Sequence, residues 1–298
     1  MTEELVPRFG LEREWADFQR RHPLFHSRFP NLVKALETAF IRTFRTTEPA
    51  DRVVFHLSNL CKEDFMEILL LCGNGYGIGA QKLLRGLYER AVTARYIAMN
   101  PERVGDFIDF GKINLFKLIA PIRRAHGDGL LPPQIVADVT AFHKEFKRRG
   151  RTPKGLIDRL RRWFRRLLRR PEPGRSTARW TDDLSFEAMA LKVGSLGRML
   201  VYGWHLPTLQ AHASLQNIIA RVRESPGGGM EFDGGPQREE ADKALNFATL
   251  ILLDLLDLQK SYFKLISLEP LLQQCNADYM EIWHPEQFAV LRVPPKNG

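Results

Sequence analysis

The sequence predicts an all-α protein, an irregular multi-helix bundle, and three observations carry that prediction. Apolar residues recur at i, i+3, i+4 and i+7 along most of the chain, the period of a helix with one buried face. No period-2 run bounded by turn residues demands a strand, Phe288–Val293 near the C-terminus being the nearest to one. The chain has 298 residues, 44% hydrophobic and 27% charged, the balance of a globular protein and not of a collagen, a coiled-coil rod or a disordered chain. A fold of this size buries roughly three quarters of its unfolded surface, so it needs no disulfide or metal to stay folded.

The first helices are expected near residues 11–21 and 31–45. The next has the clearest stripe: Val53, Leu57, Leu60, Cys61, Phe65, Ile68, Leu69 and Cys72, with Asp51 placed as its N-cap and Gly73 as the glycine past its end. A helix over 78–99 turns Leu83, Leu84, Leu87, Ala91 and Ala94 inward and stops at Asn100-Pro101. Further helices are expected at 101–126, 132–149, 154–170, 185–205, 207–224 and 237–268. The organisation reads as one helical domain, 1–298, with a basic inserted segment at 144–179, a Gly-rich loop at 225–236 and an irregular tail at 285–298. The loop holds five glycines.

The first residues, charged from Glu3 onward, lack the basic region, apolar core and cleavage site of a secretory signal. Cys61, Cys72 and Cys275 form no close pair, so disulfides and a zinc knuckle are not expected and a cytoplasmic location is. The uncharged stretch Met199–Ala220 carries too many polar groups for hydrocarbon, among them His205, Gln210, His212 and Asn217. The oilier run Ala244–Leu253 stops at Asp254 after ten residues, too short to span a bilayer.

The charge is concentrated. The segment 144–179 holds fifteen Lys or Arg against three acids, so the rest of the chain sums to −3 although the whole is +9. Within it, Leu156, Ile157, Leu160, Trp163, Phe164, Leu167 and Leu168 form one stripe of a helix about 25 Å long. Arg159, Arg161, Arg162, Arg165, Arg166, Arg169 and Arg170 cover the rest of its circumference. Guanidiniums favour planar bidentate partners such as phosphate and carboxylate. Three uses fit: a solvated face on a helix packed against the body, a nucleic-acid contact, or an anionic membrane surface or partner helix met by a basic amphipathic helix.

Gly75-Tyr76-Gly77-Ile78-Gly79-Ala80 matches a dinucleotide-binding fingerprint, but the apolar run before it, Ile68–Leu71, continues a helical period where a strand is required. A di-iron bundle needs Glu-x-x-His from two helices, and the one instance is Glu281–His284. No cofactor and no metal is expected. Arg198 with His205, and Arg20 or Arg21 with His26, have the Arg-to-His spacing of the higher eukaryotes and prokaryotes nucleotide-binding (HEPN) ribonucleases. Those are helical dimers whose paired Arg and His cut RNA, so the similarity implies a homo-oligomer. The chain departs from them at Met199, where they usually carry a polar residue.

Two distant segments carry a more specific pattern. Leu83-Leu84-Arg85-Gly86-Leu87-Tyr88-Glu89 is followed by Arg95-Tyr96-Ile97; later come Trp180-Thr181, Ala190-Leu191-Lys192-Val193-Gly194, and Trp204-x3-Thr208-x3-His212-Ala213-Ser214. Over residues 64–218 this resembles a bacterial family of all-helical proteins known as a domain of unknown function. The departures are Trp204 in place of Tyr and Thr208 in place of Ser, and the Arg-rich helix fills the family's variable stretch. The resemblance implies a helical fold and no particular activity.

Arg85 and Glu89 share one helix face, and Thr208 and His212 share another with Trp204 one turn earlier. Packed together they would set an Arg–Glu pair against an imidazole and a hydroxyl, with Glu89 fixing the imidazole's tautomer. Arg85, Glu89, Thr208 and His212 are therefore the candidate catalytic residues for ribonuclease-like acid–base chemistry. The alternative is an internally satisfied polar network that fixes helix register.

Overall fold

The structure, a computed structural model, describes residues 13–151, 180–181, 184–212 and 215–284. The arginine stripe from Arg159 to Arg170, the stretch Phe288–Val293 and the tail 285–298 lie outside the described residues. The fold is all-α with one short hairpin. It divides into two compact units, one of Met1–Met99 with Met189–Gly298, the other Asn100–Ala188.

In the first unit, α1 (Glu14–Arg21) and α2 (Pro23–Phe40) precede two long helices, α3 (Pro49–Gly73) and α4 (Gly77–Met99). These two pack along each other, and α11 (Arg238–Tyr262) lies against both. Phe65 and Ile68 of the predicted stripe on α3 and Leu84 and Leu87 of that on α4 are closed to solvent, as are Ile97 on α4 and Leu245, Leu252 and Leu255 on α11, whereas Leu60 of the α3 stripe is 43% exposed. The run Ile68–Leu71 lies within α3, so the glycine motif spans the turn between two helices and the first turn of α4, with Gly75 at φ +78° where a side chain is strained. Helix α3 opens on Pro49 after Glu48, so Asp51 is not its cap; it stands in the first turn and accepts from Thr46 Oγ1 (2.8 Å) and Tyr262 Oη (2.9 Å).

The second unit holds α5 (Val104–His126) and α6 (Pro133–Arg151), packed on each other through Ile113, Ile119, Val139 and Phe146. The Phe116 ring stacks on His143 at 3.8 Å between centroids. A short helix, α7 (Phe186–Ala190), comes next and runs into the first unit at Met189.

Beyond α7 several expected helices break. The one expected over 185–205 is interrupted by Gly194 at φ +66°, ψ −123°, resumes as α8 (Ser195–Arg198), and passes into a π turn over Val201–His205. The one expected over 207–224 stops as α9 (Leu206–Ala211), because His212 takes extended angles (φ −104°, ψ 155°). After α10 (Leu215–Ile219) come β1 (Val222–Glu224) and β2 (Met230–Phe232), an antiparallel pair whose second strand lies within the stretch expected to be a Gly-rich loop. The last long helix ends at Tyr262, short of the expected residue 268, and Lys264 turns left-handed at φ 56°. A further helix, α12 (Glu269–Trp283), packs against α2 and carries Glu281, with His284 at its end; none of the expected helices covers this segment.

Charged ties hold α1 to α11. Arg238 donates to both Glu14 carboxylate oxygens (3.0 and 2.7 Å) and to Asp17 (2.6 Å), while Arg21 and His22 meet Asp242. The hydrogen bond from Arg238 holds the Glu14 carboxyl below its ordinary 4.5, although burial of Glu14 pulls the other way. A carboxyl depressed in the folded state adds stability that is complete above its unfolded value and is lost as pH falls through the folded one. Thermal melting followed from about pH 6 down to about pH 3 should therefore show a falling midpoint, with Glu14→Gln lower at neutral pH and its decline shallower. Parallel curves for the two proteins would contradict this.

Among the described residues no helix is long and apolar enough to cross a membrane.

Candidate functional site

The site is built on α4. Arg85 and Glu89 are one turn apart, and Arg85 Nε donates to Glu89 Oε1 at 3.0 Å. Between them in sequence, Tyr88 points into the core, fully buried, and its hydroxyl donates to the Leu196 carbonyl at 2.8 Å. That bond ties α8 to α4 and delivers the π turn to the face of α4.

Gly203 makes the close approach possible: a Cβ there would stand 2.6 Å from the Tyr88 ring. The π turn fits an extra residue into one turn and so shifts the register of the residues beyond it. Trp204 then faces Glu89, and its indole Nε1 donates to Glu89 Oε1 at 2.8 Å, the same oxygen that Arg85 uses. The Arg85 guanidinium lies 5.8 Å from the Trp204 ring centroid, within cation–π range.

His212 completes the group. Its Nε2 is 2.9 Å from an Nη of Arg85. A guanidinium only donates, so Nε2 accepts and the ring proton sits on Nδ1. The sequence pattern suggests Glu89 as the partner of the imidazole; in the structure Arg85 makes that contact, and Glu89 holds Arg85 and Trp204. Asn217 donates to the His212 carbonyl, fixing the backbone where α9 ends.

Of the four candidates, Arg85, Glu89 and His212 come together. Thr208 lies one turn before His212, but its hydroxyl bonds back to the Trp204 carbonyl and is spent on its own helix. Trp204 stands in the sequence pattern without an expected role at the site. Its signal is the aromatic-x3-Thr-x3-His spacing, and its role appears only with the π turn.

The group faces solvent: the Arg85 side chain is 26% exposed, Glu89 40%, and His212 is exposed. Among the described residues two of the five N–H donors of Arg85 are engaged, on Glu89 and His212, which leaves three for water or a ligand. The other arginines of α4 are committed to the body. Arg90 pairs with Asp64, whose carboxyl burial pushes up, and Arg95 pairs with Asp254 at 2.8 Å.

The alternative Arg-to-His pairs fare differently. Arg20 and Arg21 are bound to Asp17 and Asp242, while His26 stands exposed on α2. Arg198 on α8 and His205 at the end of the π turn are both exposed, away from the core. Among the described residues no cluster of three or more His, Cys, Asp or Glu is arranged to hold a metal ion. The seven arginines of the basic stripe lie outside the described residues, so only their sequence bears on them.

A family model described as a family of unknown function, DUF5677, matches residues 51–230. The match takes in Arg85, Glu89, Trp204 and His212 together with the basic segment, and covers more than half of the chain. No curated protein and no solved structure matches the chain.

Proposed function

We propose that this chain, which belongs to the DUF5677 family of unknown function, binds nucleic acid and carries out ribonuclease-like chemistry at Arg85 and His212. The observation that supports the reading best is a solvent-facing guanidinium, steadied by Glu89 and Trp204, in contact with an imidazole.

In this reading a phosphodiester takes the spare donors of Arg85, which offset the charge gathering on the phosphorus oxygens. Once the phosphate draws the Arg85 Nη away, His212 Nε2 is released to receive the proton of the ribose 2′-hydroxyl. The 2′-oxygen bonds to phosphorus, the bond to the 5′-oxygen breaks, and the imidazolium returns its proton to the departing oxygen. Glu89 and Trp204 touch neither reacting atom; they position Arg85.

Affinity comes from the segment 144–179. Each phosphate neutralised by an arginine releases condensed counterions, so binding depends steeply on salt. Between 50 and 200 mM salt, affinity for a labelled single-stranded RNA should fall on the order of 10²–10³-fold. Reversing Arg161, Arg162, Arg165 and Arg166 to Glu should remove most of the affinity and flatten that slope. Unchanged affinity in the reversed protein would end the nucleic-acid reading.

A second reading has its own support. Leu215, Ile218 and Ile219 on α10 and Met230 and Phe232 on β2 are large apolar side chains left exposed. They suit an interaction protein that docks on a partner or an anionic lipid surface without catalysis. Flotation with anionic vesicles, set beside RNA binding, separates the two readings. The nucleic-acid reading goes with a cytoplasmic setting.

A further inference from the structure

A second cationic surface lies at the start of α3, apart from Arg85 and His212. It is an open concavity of about 850 Å³ lined by Arg45, Thr46, Thr47, Arg52 and His56, with Phe44 and Phe55 as its apolar wall. Among the described residues two guanidiniums and an imidazole line it, and no carboxylate does. Nearby Asp51 is occupied by Thr46 and Tyr262, and Glu48 is an exposed side chain at the helix N-cap.

The arginines are set up for a ligand in different ways. Arg52 places Nε and one Nη on the Thr46 carbonyl (3.1 and 2.9 Å), which fixes its plane and leaves the other Nη free of that bond. Arg45 is exposed, and among the described residues neither it, Arg52 nor His56 meets a carboxylate. The wall is rigid: Phe44 and Phe55 stack at 4.1 Å and 13°, and Phe263 closes edge-on at 5.3 Å from Phe44. Behind it, the Arg42 guanidinium lies 4.9–5.2 Å from the centroids of these three rings and, among the described residues, donates only to the Ala39 carbonyl. That adds a further positive charge with no carboxylate against it among the described residues.

We propose that this concavity binds a phosphate ester, the phosphate bridging Arg45 and Arg52 beside the Thr47 hydroxyl. Planar guanidiniums bind phosphate oxygens in pairs, and a volume of this size is in the range that holds a mononucleotide-sized ligand. The ester is either a free mononucleotide or one unit of a nucleic-acid strand. The site shares no residue with Arg85, Glu89, Trp204 or His212, so it stands without the reading of those residues.

The test is calorimetric titration of the full chain with adenosine monophosphate and with a five-nucleotide single-stranded RNA. It compares the wild type with Arg45→Gln, Arg52→Gln and, as control, Arg124→Gln, an exposed arginine to which no binding or catalytic role is given. Binding of at least one probe is expected to weaken tenfold or more in Arg45→Gln and in Arg52→Gln and to stay within twofold in Arg124→Gln. Arg45→Gln guards against misfolding, because Arg45 supports no described contact whereas Arg52 holds the Thr46 carbonyl. Saturable binding of the mononucleotide that Arg45→Gln weakens, at least as tight as that of the oligomer, identifies a free nucleotide; tighter binding of the oligomer that Arg45→Gln weakens identifies a strand. The proposal is overturned if neither probe binds, or if every probe that binds the wild-type chain binds Arg45→Gln alike.

Discussion

Valine at position 77 should cost the fold about 3 kcal/mol or more, the upper end of what overpacking does. A Cβ on Gly77 would stand 2.3 Å from the Gln237 carbonyl oxygen and 2.4 Å from the Ala241 nitrogen. Both are backbone atoms at the start of α11, so no rotamer change makes room and the two helices must part. Behind that contact Ala80, Leu84, Ala244 and Leu245 are sealed from solvent, and a shift there disturbs the main core. Gly79 in the same motif is different: its Cβ would meet only side-chain atoms at ordinary contact distance, the nearest on Leu71 at 3.6 Å. Gly79→Ala should be neutral or gain about 0.5–1 kcal/mol through helix propensity. Urea unfolding of the two variants tests this, and a Gly77→Val protein within about 1 kcal/mol of wild type would refute the packing account. A phosphate cradle would ask for glycine at both positions, whereas a helix–helix contact asks for it at one.

That contrast shows how far the sequence can be read. The long helices are legible because their burial is one-sided: Phe65, Ile68 and Cys72 on α3 recur at the period of the buried face. Even there the expected cap is misplaced, since Pro49 starts the helix and frees Asp51 to bind Tyr262. The short elements after residue 190 are not legible, because apolar periodicity continues across breaks made by single backbone angles, at Gly194 and at His212. Helix α12 does leave a signal: Pro270 in its first turn and Leu272, Cys275 and Tyr279 at helical spacing, all three buried. At the site, spacing alone places Arg85 against Glu89 and draws in His212. Side-chain choices decide the rest: Thr208 satisfies its own backbone, and Trp204 reaches Glu89 because a π turn rotates it there.

Loss of the His212 imidazole should cut RNA cleavage by about 10²–10⁴-fold, the usual contribution of a general acid–base group, with RNA affinity within about twofold of wild type. In the proposed function binding belongs to the basic segment and proton transfer to the imidazole, so His212→Ala separates the two. Glu89→Ala should likewise leave affinity intact and abolish cleavage, because Arg85 loses its 3.0 Å tether. Trp204→Phe keeps an aromatic ring beside Arg85 but deletes the indole N–H that donates to Glu89. A positioning role predicts a lower kcat at an unchanged KM for that variant, while a purely architectural role predicts a lower melting temperature and unchanged turnover of the folded fraction. Arg85→Ala removes the group that holds His212 and, in the proposed reaction, meets the phosphate, so it should lose at least as much activity as His212→Ala, and the double variant should lose no more than the worse single one. Additive losses would show the two residues acting apart, against a 2.9 Å contact that makes them one device. A wild-type chain that binds RNA with the expected salt slope and never cleaves it would reduce the network to a clamp between α4 and the π turn, and binding would then be its whole contribution.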